Sequence, residues 1–310
     1  MATTVRKIEI NNMGFLDYIQ KIARATDSNG NISPIKTLQD EDTRKEIEQR
    51  LALDLRNKIN DGTIPRYFYK YRSLPHALEI IRSGKLKFST IDEFKDPFDG
   101  MGDRTGNEKE DYNTLTEKFI ARLPQEMPVA LKENIKQAIS TDPERYFKEH
   151  AEMVIAALRK NTGIFCMSPI YDDIIMWSYY ADSHKGVCLK LDILQHPELF
   201  YAINKVDYQR EMPRESIIDA EKLSQSFWSA ITTKHQAWFY EQEVRVIHHR
   251  ENGFLPFNKQ VLKEILFGVY TTQGDIDKVR EALQAHGYSN VALKKATLHD
   301  TRYKLQFHDI

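Results

Sequence analysis

Two glutamates separated by one residue are the strongest candidates for chemistry in this sequence. Glu241 and Glu243 open a segment, Val244 to Ile247, whose alternation of apolar and polar residues predicts a half-buried strand. Residues i and i+2 of a strand share a face, so both carboxylates could point into one cleft. A fixed carboxylate in a site with little water can stabilise positive charge that develops on a sugar carbon. The alternative is a solvated edge on which Glu243 pairs with a Lys or Arg.

Tyr71, Arg72 and Ser168 are candidates for binding a nucleotide cofactor. Arg72 follows Tyr71 at the end of an aromatic segment predicted to be a strand, and a guanidinium there could grip a pyrophosphate through two parallel hydrogen bonds. An ordinary surface arginine is the alternative. Ser168 ends a second predicted strand, where its hydroxyl could bond a ribose or a carboxamide, or cap the following turn or helix.

Further candidates lie between Ser168 and the glutamates in the sequence. Trp177 and Tyr180 could stack on a nicotinamide or adenine ring, although an aromatic helix face is more often part of a core. His184 is a candidate cofactor-binding residue in a polar loop that could line a cleft or lie in water. Lys234 precedes the glutamates on a predicted helix and could reach either a phosphate or Glu241.

The elements that would position these residues indicate an α+β protein. Strands are predicted near residues 67–71, 85–89, 164–168, 186–191, 206–208, 244–247, 261–270 and 291–298, with helices at 74–83, 214–238 and 275–285. We expect two packed, mostly antiparallel β-sheets with a central cleft, as the core of residues 65–310. Residues 1–64 are predicted to be an N-terminal helical arm, and the charged helices at 105–160 are predicted to be an insertion.

Composition narrows the class of protein. The 310 residues contain 44 Lys and Arg against 45 Asp and Glu, so the formal net charge of -1 gives no global attraction to nucleic acid or anionic membrane, although a local basic groove is compatible with it. Cys166 and Cys188 lie in apolar segments and are expected to be buried, reduced thiols. No window approaches the roughly 20 apolar residues that span a bilayer. A cytoplasmic protein without a membrane partner is predicted.

The sequence lacks the usual signatures of metal, nucleophile and phosphate-loop sites. No zinc-finger spacing or His-Glu-x-x-His motif occurs, and no glycine-rich phosphate loop is present. A metal is therefore not predicted. A nuclease or hydrolase that uses Asp96, Asp172 or Asp173 with Mg²⁺ is a weaker alternative, because these acids lack a supporting Lys or His at a recognisable spacing.

Six motifs occur in order over about residues 66 to 250. In this order the sequence resembles the domain of unknown function 2971 family of bacteria, through Tyr69-Lys-Tyr-Arg72, Phe94-Lys-Asp-Pro-Phe98, Phe165-Cys-Met-Ser168, Met176-Trp-Ser-Tyr-Tyr-Ala181, His184-Lys-Gly-Val187 and Trp238-Phe-Tyr-Glu-Gln-Glu-Val-Arg245. That family name implies no activity.

The order Arg, Ser, Glu-x-Glu also resembles the ADP-ribosyltransferase superfamily. This resemblance implies that NAD is a substrate, that Arg72 holds its pyrophosphate and that Ser168 orients the nicotinamide ribose. It further implies that Glu243 stabilises the oxocarbenium ion and that Glu241 helps to position the acceptor. The chain departs from the pattern in two ways: Met167-Ser168-Pro169 replaces the usual Ser-Thr-Ser, and a helical insertion separates the first two motifs.

The resemblance implies ADP-ribosyl transfer from NAD to a macromolecular acceptor, protein or nucleic acid, without a metal. Such a protein could be a bacterial toxin or an anti-phage defence effector, with an antitoxin or immunity partner. The alternative is a non-catalytic module that senses a nucleotide or binds a partner protein through the same cleft.

Overall fold

The computed structural model describes residues 41–102, 112–123, 127–214, 220–249 and 251–310. These residues fall into two units. One comprises the described parts of Met1–Ile47, Pro97–Lys160 and Glu211–Thr233, and the other those of Glu48–Asp96, Asn161–Arg210 and Lys234–Ile310. Residues 1–40 of the predicted arm lie outside the described residues, and both the arm and the insertion stay predictions.

Helices and mostly antiparallel strands make up the described chain, which confirms the predicted α+β class. In chain order they are α1 (Glu41–Asn60), β1 (Tyr67–Arg72), α2 (Leu74–Ser83), β2 (Lys85–Phe88), α3 (Tyr112–Arg122), α4 (Val129–Thr141), α5 (Pro143–Asn161), β3 (Thr162–Met167), α6 (Ile174–Tyr180), β4 (Val187–Asp192), α7 (Pro197–Phe200), β5 (Ile203–Lys205), β6 (Asp207–Gln209), α8 (Ala220–Thr232), β7 (Thr233–His235), β8 (Val244–His249), β9 (Gly253–Pro256), β10 (Leu262–Phe267), α9 (Gln273–Ala285), β11 (Ala292–Leu298) and β12 (Leu305–Asp309).

The strands form several sheets, where two were expected. The largest has the order β1-β4-β10-β11-β12 and is antiparallel except for the β10–β11 pair, whose crossover contains α9. A three-stranded sheet has the order β3-β8-β5, and β2-β9 and β6-β7 are two-stranded. A bridge between Tyr69 and Ser168 joins β1 to the chain just after β3. The predicted cleft between two sheets stays a prediction.

One hydrophobic core takes side chains from the five-stranded and the three-stranded sheets. Phe68, Leu189 and Ile265 come from the first sheet, and Phe165 and Val246 come from the second. Each of these side chains is almost fully buried, and such burial contributes roughly 1.5–3 kcal/mol per residue. Strands β3, β4, β8 and β10 are buried at successive positions, so both of their faces are covered, as their nearly continuous apolar sequences require.

Local sequence signals place α2 where it was predicted. Pro75 lies in the first turn, where a missing N–H costs no helical hydrogen bond. Gly84 follows the last residue with φ 63°, a left-handed conformation that glycine adopts without steric cost, and its N–H donates to Ile80 O at 2.9 Å. Because the helix ends sharply at Gly84, β2 begins at the next residue.

The helix predicted for 214–238 ends six residues earlier than expected. Residues 215–219 lie outside the described residues, and the described helix ends at Thr232. Thr233 to His235 then form β7, which pairs with β6, and a 3-10 helix covers Gln236–Glu241. Ile231, Thr232 and Thr233 are three consecutive β-branched residues, which weakens the helix at this point, and pairing with β6 then decides the strand.

The other unit contains α3, α4, α5 and α8. Phe119, Phe147 and His150 pack in an aromatic cluster, and Leu223 of α8 packs with Ala151 of α5. α5 begins at Pro143, a residue that suits the first turn of a helix because no N–H is needed there. Among the described helices, none is both long and apolar enough to cross a bilayer.

Candidate functional site

The two glutamates occupy different elements but meet at one cation. Glu241 is the last residue of the 3-10 helix, and Glu243 precedes β8. Gln242, between them, has φ 43° and turns the chain. Strand alternation is therefore the wrong reason for their convergence, because Glu241 lies outside the strand. They converge because Lys234 Nζ lies 2.6 Å from Glu241 Oε2 and 2.9 Å from Glu243 Oε2.

Glu243 is a buried carboxylate with strong partners. Only 6% of the residue is exposed. Arg245 binds it through two nitrogens, with Nε 2.8 Å from Oε1 and Nη2 3.2 Å from Oε2. Burial alone would raise the pKa of Glu243, but the charges of Arg245 and Lys234 outweigh it and hold this pKa far below its ordinary range. Glu243 is therefore ionised at neutral pH.

Glu241 has the opposite electrostatic environment. Only 3% of the residue is exposed, and it accepts hydrogen bonds from the Tyr180 hydroxyl and from Lys234. Burial raises the pKa of Glu241, Lys234 opposes this, and the negative charge of Glu243 adds to it. The net result is a raised pKa. Tyr180 is 36% exposed, so its side chain extends from the surface to this buried carboxylate.

We call Lys234, Glu241, Glu243 and Arg245 the four-charge cluster. Its formal charges cancel, because two cations face two carboxylates. Arg245 is fully buried, and its Cζ lies 5.3 Å from the centre of the Phe94 ring. Buried charges are costly to leave alone, so each member depends on its partners.

Two further cations lie on β1, and one of them, Lys70, interacts electrostatically with the cluster. Lys70 Nζ donates to Cys166 O and lies 4.9 Å from the centre of the Phe165 ring. Burial, with the charge of Arg72, lowers the pKa of Lys70 to about 7, while Cys166 and the two glutamates oppose this decrease. Burial also lowers the pKa of Arg72.

Arg72 has little bonding of its own. Its Nη1 lies 3.4 Å from Tyr71 O, which is a long hydrogen bond. Among the described residues no carboxylate contacts Arg72 or Lys70. Both β1 cations therefore have donors left for an anionic ligand.

Ser168 bonds within a turn. The residue is buried, and Oγ accepts from Ile170 N at 3.0 Å. Its backbone pairs with Tyr69 in both directions. This is the turn-capping alternative foreseen for Ser168. Its contact with a ribose stays a prediction.

Tyr71 and Trp177 pack in a second hydrophobic core, which lies on the other face of the five-stranded sheet. The Tyr71 hydroxyl donates to Ile170 O at 3.0 Å, and its ring meets Trp177 edge to face at 5.4 Å. Trp177 is fully buried and donates from Nε1 to Tyr171 O at 2.8 Å. Neither ring offers a face to solvent for stacking on a nucleotide. Tyr180 retains that exposure.

His184 lies in an unusual loop. Asp182, Ser183 and His184 all have positive φ, and the ring of His184 lies parallel to Trp177 at 6.2 Å. His184 Nε2 is 3.2 Å from Ser178 Oγ, while Nδ1 is buried without a hydrogen-bond partner. Burial lowers the pKa of His184, which favours the neutral ring. A cofactor-binding role for His184 stays a prediction.

Glycines allow this loop to approach the strands. A Cβ on Gly186 would lie 2.3 Å from Arg72 O, and one on Gly268 would lie 2.1 Å from His184 O. Both distances are far inside van der Waals contact, so no other residue fits without backbone movement. The His184 loop is thereby held against the end of β1.

Of the predicted site residues, Glu241, Glu243 and Tyr180 lie in one hydrogen-bonded group. Arg72 bonds to neither glutamate, and its charge acts on Lys70 and Cys166 instead. The others, Tyr71, Ser168, Trp177 and His184, bond to neither glutamate.

Sequence reasoning missed Arg245 and Tyr208 as parts of the site. Arg245 follows Glu243 by two residues, so strand alternation was a usable signal. Tyr208 OH accepts from Glu243 N at 2.8 Å across 35 residues of sequence, and no local pattern indicates that contact. In the part of the chain that the structure describes, no group of three or more His, Cys, Asp or Glu could hold a metal ion.

Comparisons with known proteins give one match. Neither the curated proteins nor the solved structures gave a significant match to this chain. Residues 176–246, which run from α6 to β8 and include the whole four-charge cluster, match the model of a family described as Protein of unknown function (DUF2971), which confirms the family resemblance drawn from the motifs.

Proposed function

We propose that this protein transfers ADP-ribose from NAD to a macromolecular acceptor, protein or nucleic acid. The observation that carries the proposal is a pair of adjacent buried carboxylates whose pKa values are moved in opposite directions, Glu243 down and Glu241 up. Pairs of this kind divide the work of a reaction between a permanent charge and a proton acceptor.

The two glutamates then have distinct roles. Ionised Glu243 stabilises the positive charge that grows on the ribose C1′ as its bond to nicotinamide breaks, and nicotinamide leaves as a neutral ring. The acceptor nucleophile forms the new bond to C1′, and Glu241 takes the proton that the nucleophile loses. Glu241 also accepts a hydrogen bond from the Tyr180 hydroxyl.

Arg72 and Lys70 fit the anionic part of this substrate. Both lie on β1, the charges of the two glutamates act on Lys70, and neither cation contacts a carboxylate among the described residues. A pyrophosphate would supply the missing negative charge and accept from several donors at once. Tyr180, which is partly exposed, is the aromatic ring best placed to contact a base.

The proposal includes a biological setting. The enzyme acts in the cytoplasm as a toxin or an anti-phage defence effector, and an antitoxin or immunity partner restrains it. The resemblance to ADP-ribosyltransferases supports this part, and label transfer to an extract would identify the acceptor.

A second function is favoured by a different observation. Both oxygens of Glu243 are engaged by Arg245 and Lys234, as in a structural ion-pair network. A module that senses a nucleotide through Arg72 and Lys70, without turning it over, would need the cluster only for rigidity.

NAD turnover separates these functions. The full chain is incubated with labelled NAD and a bacterial extract, with and without EDTA, while nicotinamide release and label transfer are measured. We expect turnover that is insensitive to EDTA and is lost in Glu243→Gln, while Glu149→Gln, an exposed control, behaves as wild type. Folding of each variant is checked by circular dichroism.

Three outcomes would contradict the transferase. Nucleotide binding without turnover in any extract, unaffected by Glu243→Gln, identifies the sensing module. Loss of activity on adding EDTA supports the metal-dependent hydrolase instead. Full activity in Glu243→Gln shows that this carboxylate is not catalytic.

A further inference from the structure

Lys234 is the buried ammonium that joins the two glutamates. It lies on β7, and only 8% of its side chain is exposed. Its Nζ lies 5.0 Å from the centre of the Trp238 ring, so an aromatic face covers the cation. Burial opposes its charge, but Glu243 and Glu241 outweigh burial and raise the pKa of Lys234. Lys234 therefore stays charged over the physiological range.

The two carboxylates depend on Lys234 to different degrees. Glu243 has a second cation, Arg245, bound through two hydrogen bonds. Among the described residues, Lys234 is the one cation in contact with Glu241, whose other partner is the neutral Tyr180 hydroxyl. Loss of Lys234 would leave Glu243 paired and Glu241 without a counter-charge.

We propose that Lys234 is a positioning residue that keeps Glu241 ionised beside Glu243 and so prepares Glu241 to accept a proton. The proposal rests on the function proposed above, in which Glu241 takes the proton of the acceptor. It adds a residue that touches no substrate and acts through Glu241.

The surrounding groups make Lys234 the decisive one. Among the described residues, the titratable or charged side chains that interact with the glutamates, besides Lys234, are Tyr180 on α6, Tyr240 in the 3-10 helix, Tyr208 on β6, Cys166 on β3, Lys70 on β1 and Arg245 on β8. The phenols and the thiol have raised pKa values, chiefly through burial, and are neutral at pH 7. Lys70 touches Cys166 O rather than a glutamate. Arg245 binds Glu243 through two hydrogen bonds.

Titration of Glu241 tests the proposal without reference to activity. The full chain is labelled with glutamate carrying ¹³C at the carboxyl, and the Glu241 resonance is identified by its absence in Glu241→Gln. In Lys234→Met we expect the midpoint of this resonance to rise by about 1–3 pH units, because the opposite charge is gone and Glu243 remains. Lys234→Gln, which keeps a hydrogen-bond donor without charge, should show the same direction and serves if Lys234→Met does not fold.

Two controls bracket this result. Lys234→Arg keeps the charge and should keep the midpoint near its wild-type value. Lys278→Met removes a cation that pairs with Asp275 on α9 and should leave the midpoint unchanged. A midpoint that stays at the wild-type value in the charge-removing Lys234 variants overturns the proposal.

The pH profile of NAD turnover links the titration to the reaction. The acid limb of the rate should move upward in Lys234→Met by the same amount as the Glu241 midpoint, and return in Lys234→Arg. An unmoved acid limb in an active Lys234→Met also overturns the proposal. If the wild type itself does not turn over NAD, the proposed function fails, while the carboxyl titration still decides whether Lys234 controls Glu241.

Discussion

Replacing Arg245 with Met should destabilise the protein far more than removing an exposed arginine. The guanidinium is fully buried and holds Glu243 at 2.8 and 3.2 Å. Its removal leaves the cluster with two carboxylates and one ammonium, a buried excess of one negative charge. Breaking a buried pair from one side costs about 3–5 kcal/mol. With an m-value of about 2 kcal/mol per M, the urea midpoint should fall by roughly 1.5–2.5 M.

A matched control is available on α5. Arg145 Nε binds Glu149 Oε1 at 2.8 Å, the same distance as in the buried pair, but the two side chains are 72% and 61% exposed. An exposed i,i+4 pair contributes about 0.3–0.5 kcal/mol, so Arg145→Met should barely change the urea midpoint. The comparison sets a buried pair with two hydrogen bonds against an exposed pair whose single bond is as short as the shorter of those two.

The double variant Glu243→Gln/Arg245→Met tests whether an unbalanced buried charge causes the loss of stability in Arg245→Met. Each single change leaves one unmatched buried charge, whereas the double change leaves Lys234 facing Glu241 and restores a formal charge of zero. We expect the double variant to be about 1–3 kcal/mol more stable than the sum of the two single costs predicts. Urea unfolding, followed by tryptophan fluorescence and circular dichroism, measures all four members of the cycle.

Acid unfolding gives a second measure of the same pair. The folded-state pKa of Glu243 is depressed, so its stabilising contribution is present above the ordinary carboxyl pKa near ~4.3 and is lost as pH falls towards the folded value. Glu243→Gln should therefore lose less stability than wild type as pH falls from about 5 to 2. The reasoning is refuted if Arg245→Met costs no more than Arg145→Met, or if the two single costs simply add.

Three further outcomes follow from the packing around the site. Gly268→Ala should destabilise the protein strongly, since its Cβ would lie 2.1 Å from His184 O, while Gly274→Ala, with nothing within 4 Å, should not; thermal unfolding compares them. Lys70→Met should be more stable than wild type at pH 7 by about 1–3 kcal/mol, because it removes a buried charge. The wild type should gain stability between pH 7 and 10.5, because its folded-state Lys70 pKa of about 7 makes the folded chain bind fewer protons than the unfolded chain, and Lys70→Met should lack this gain. Cys166, whose pKa burial raises to about 12, should react with iodoacetamide at pH 8 only after denaturation, as mass spectrometry would show.

Part of this structure is readable from local sequence. Gly84 ends α2 because the left-handed cap suits glycine, and Pro143 begins α5 because a first-turn residue needs no donor. The apolar segments of β1, β3, β4 and β10 were predicted from composition and alternation. The short strands β5, β9 and β12 were missed, because strands of three to five residues carry too little pattern to be distinguished from loops.

The sequence by itself determined the α+β class, the family motifs and the presence of two glutamates one residue apart. Only the tertiary structure decided which partners those glutamates have and in which direction their pKa values shift. The chain turns at Gln242, Lys234 arrives on a strand rather than on the predicted helix, and Tyr180 and Tyr208 reach the pair from distant segments. The pKa of a carboxylate depends on burial and on charges a few ångströms away, and neither is a property of neighbouring residues in the sequence. For that reason the opposite electrostatic states of Glu241 and Glu243 became visible only in the folded chain.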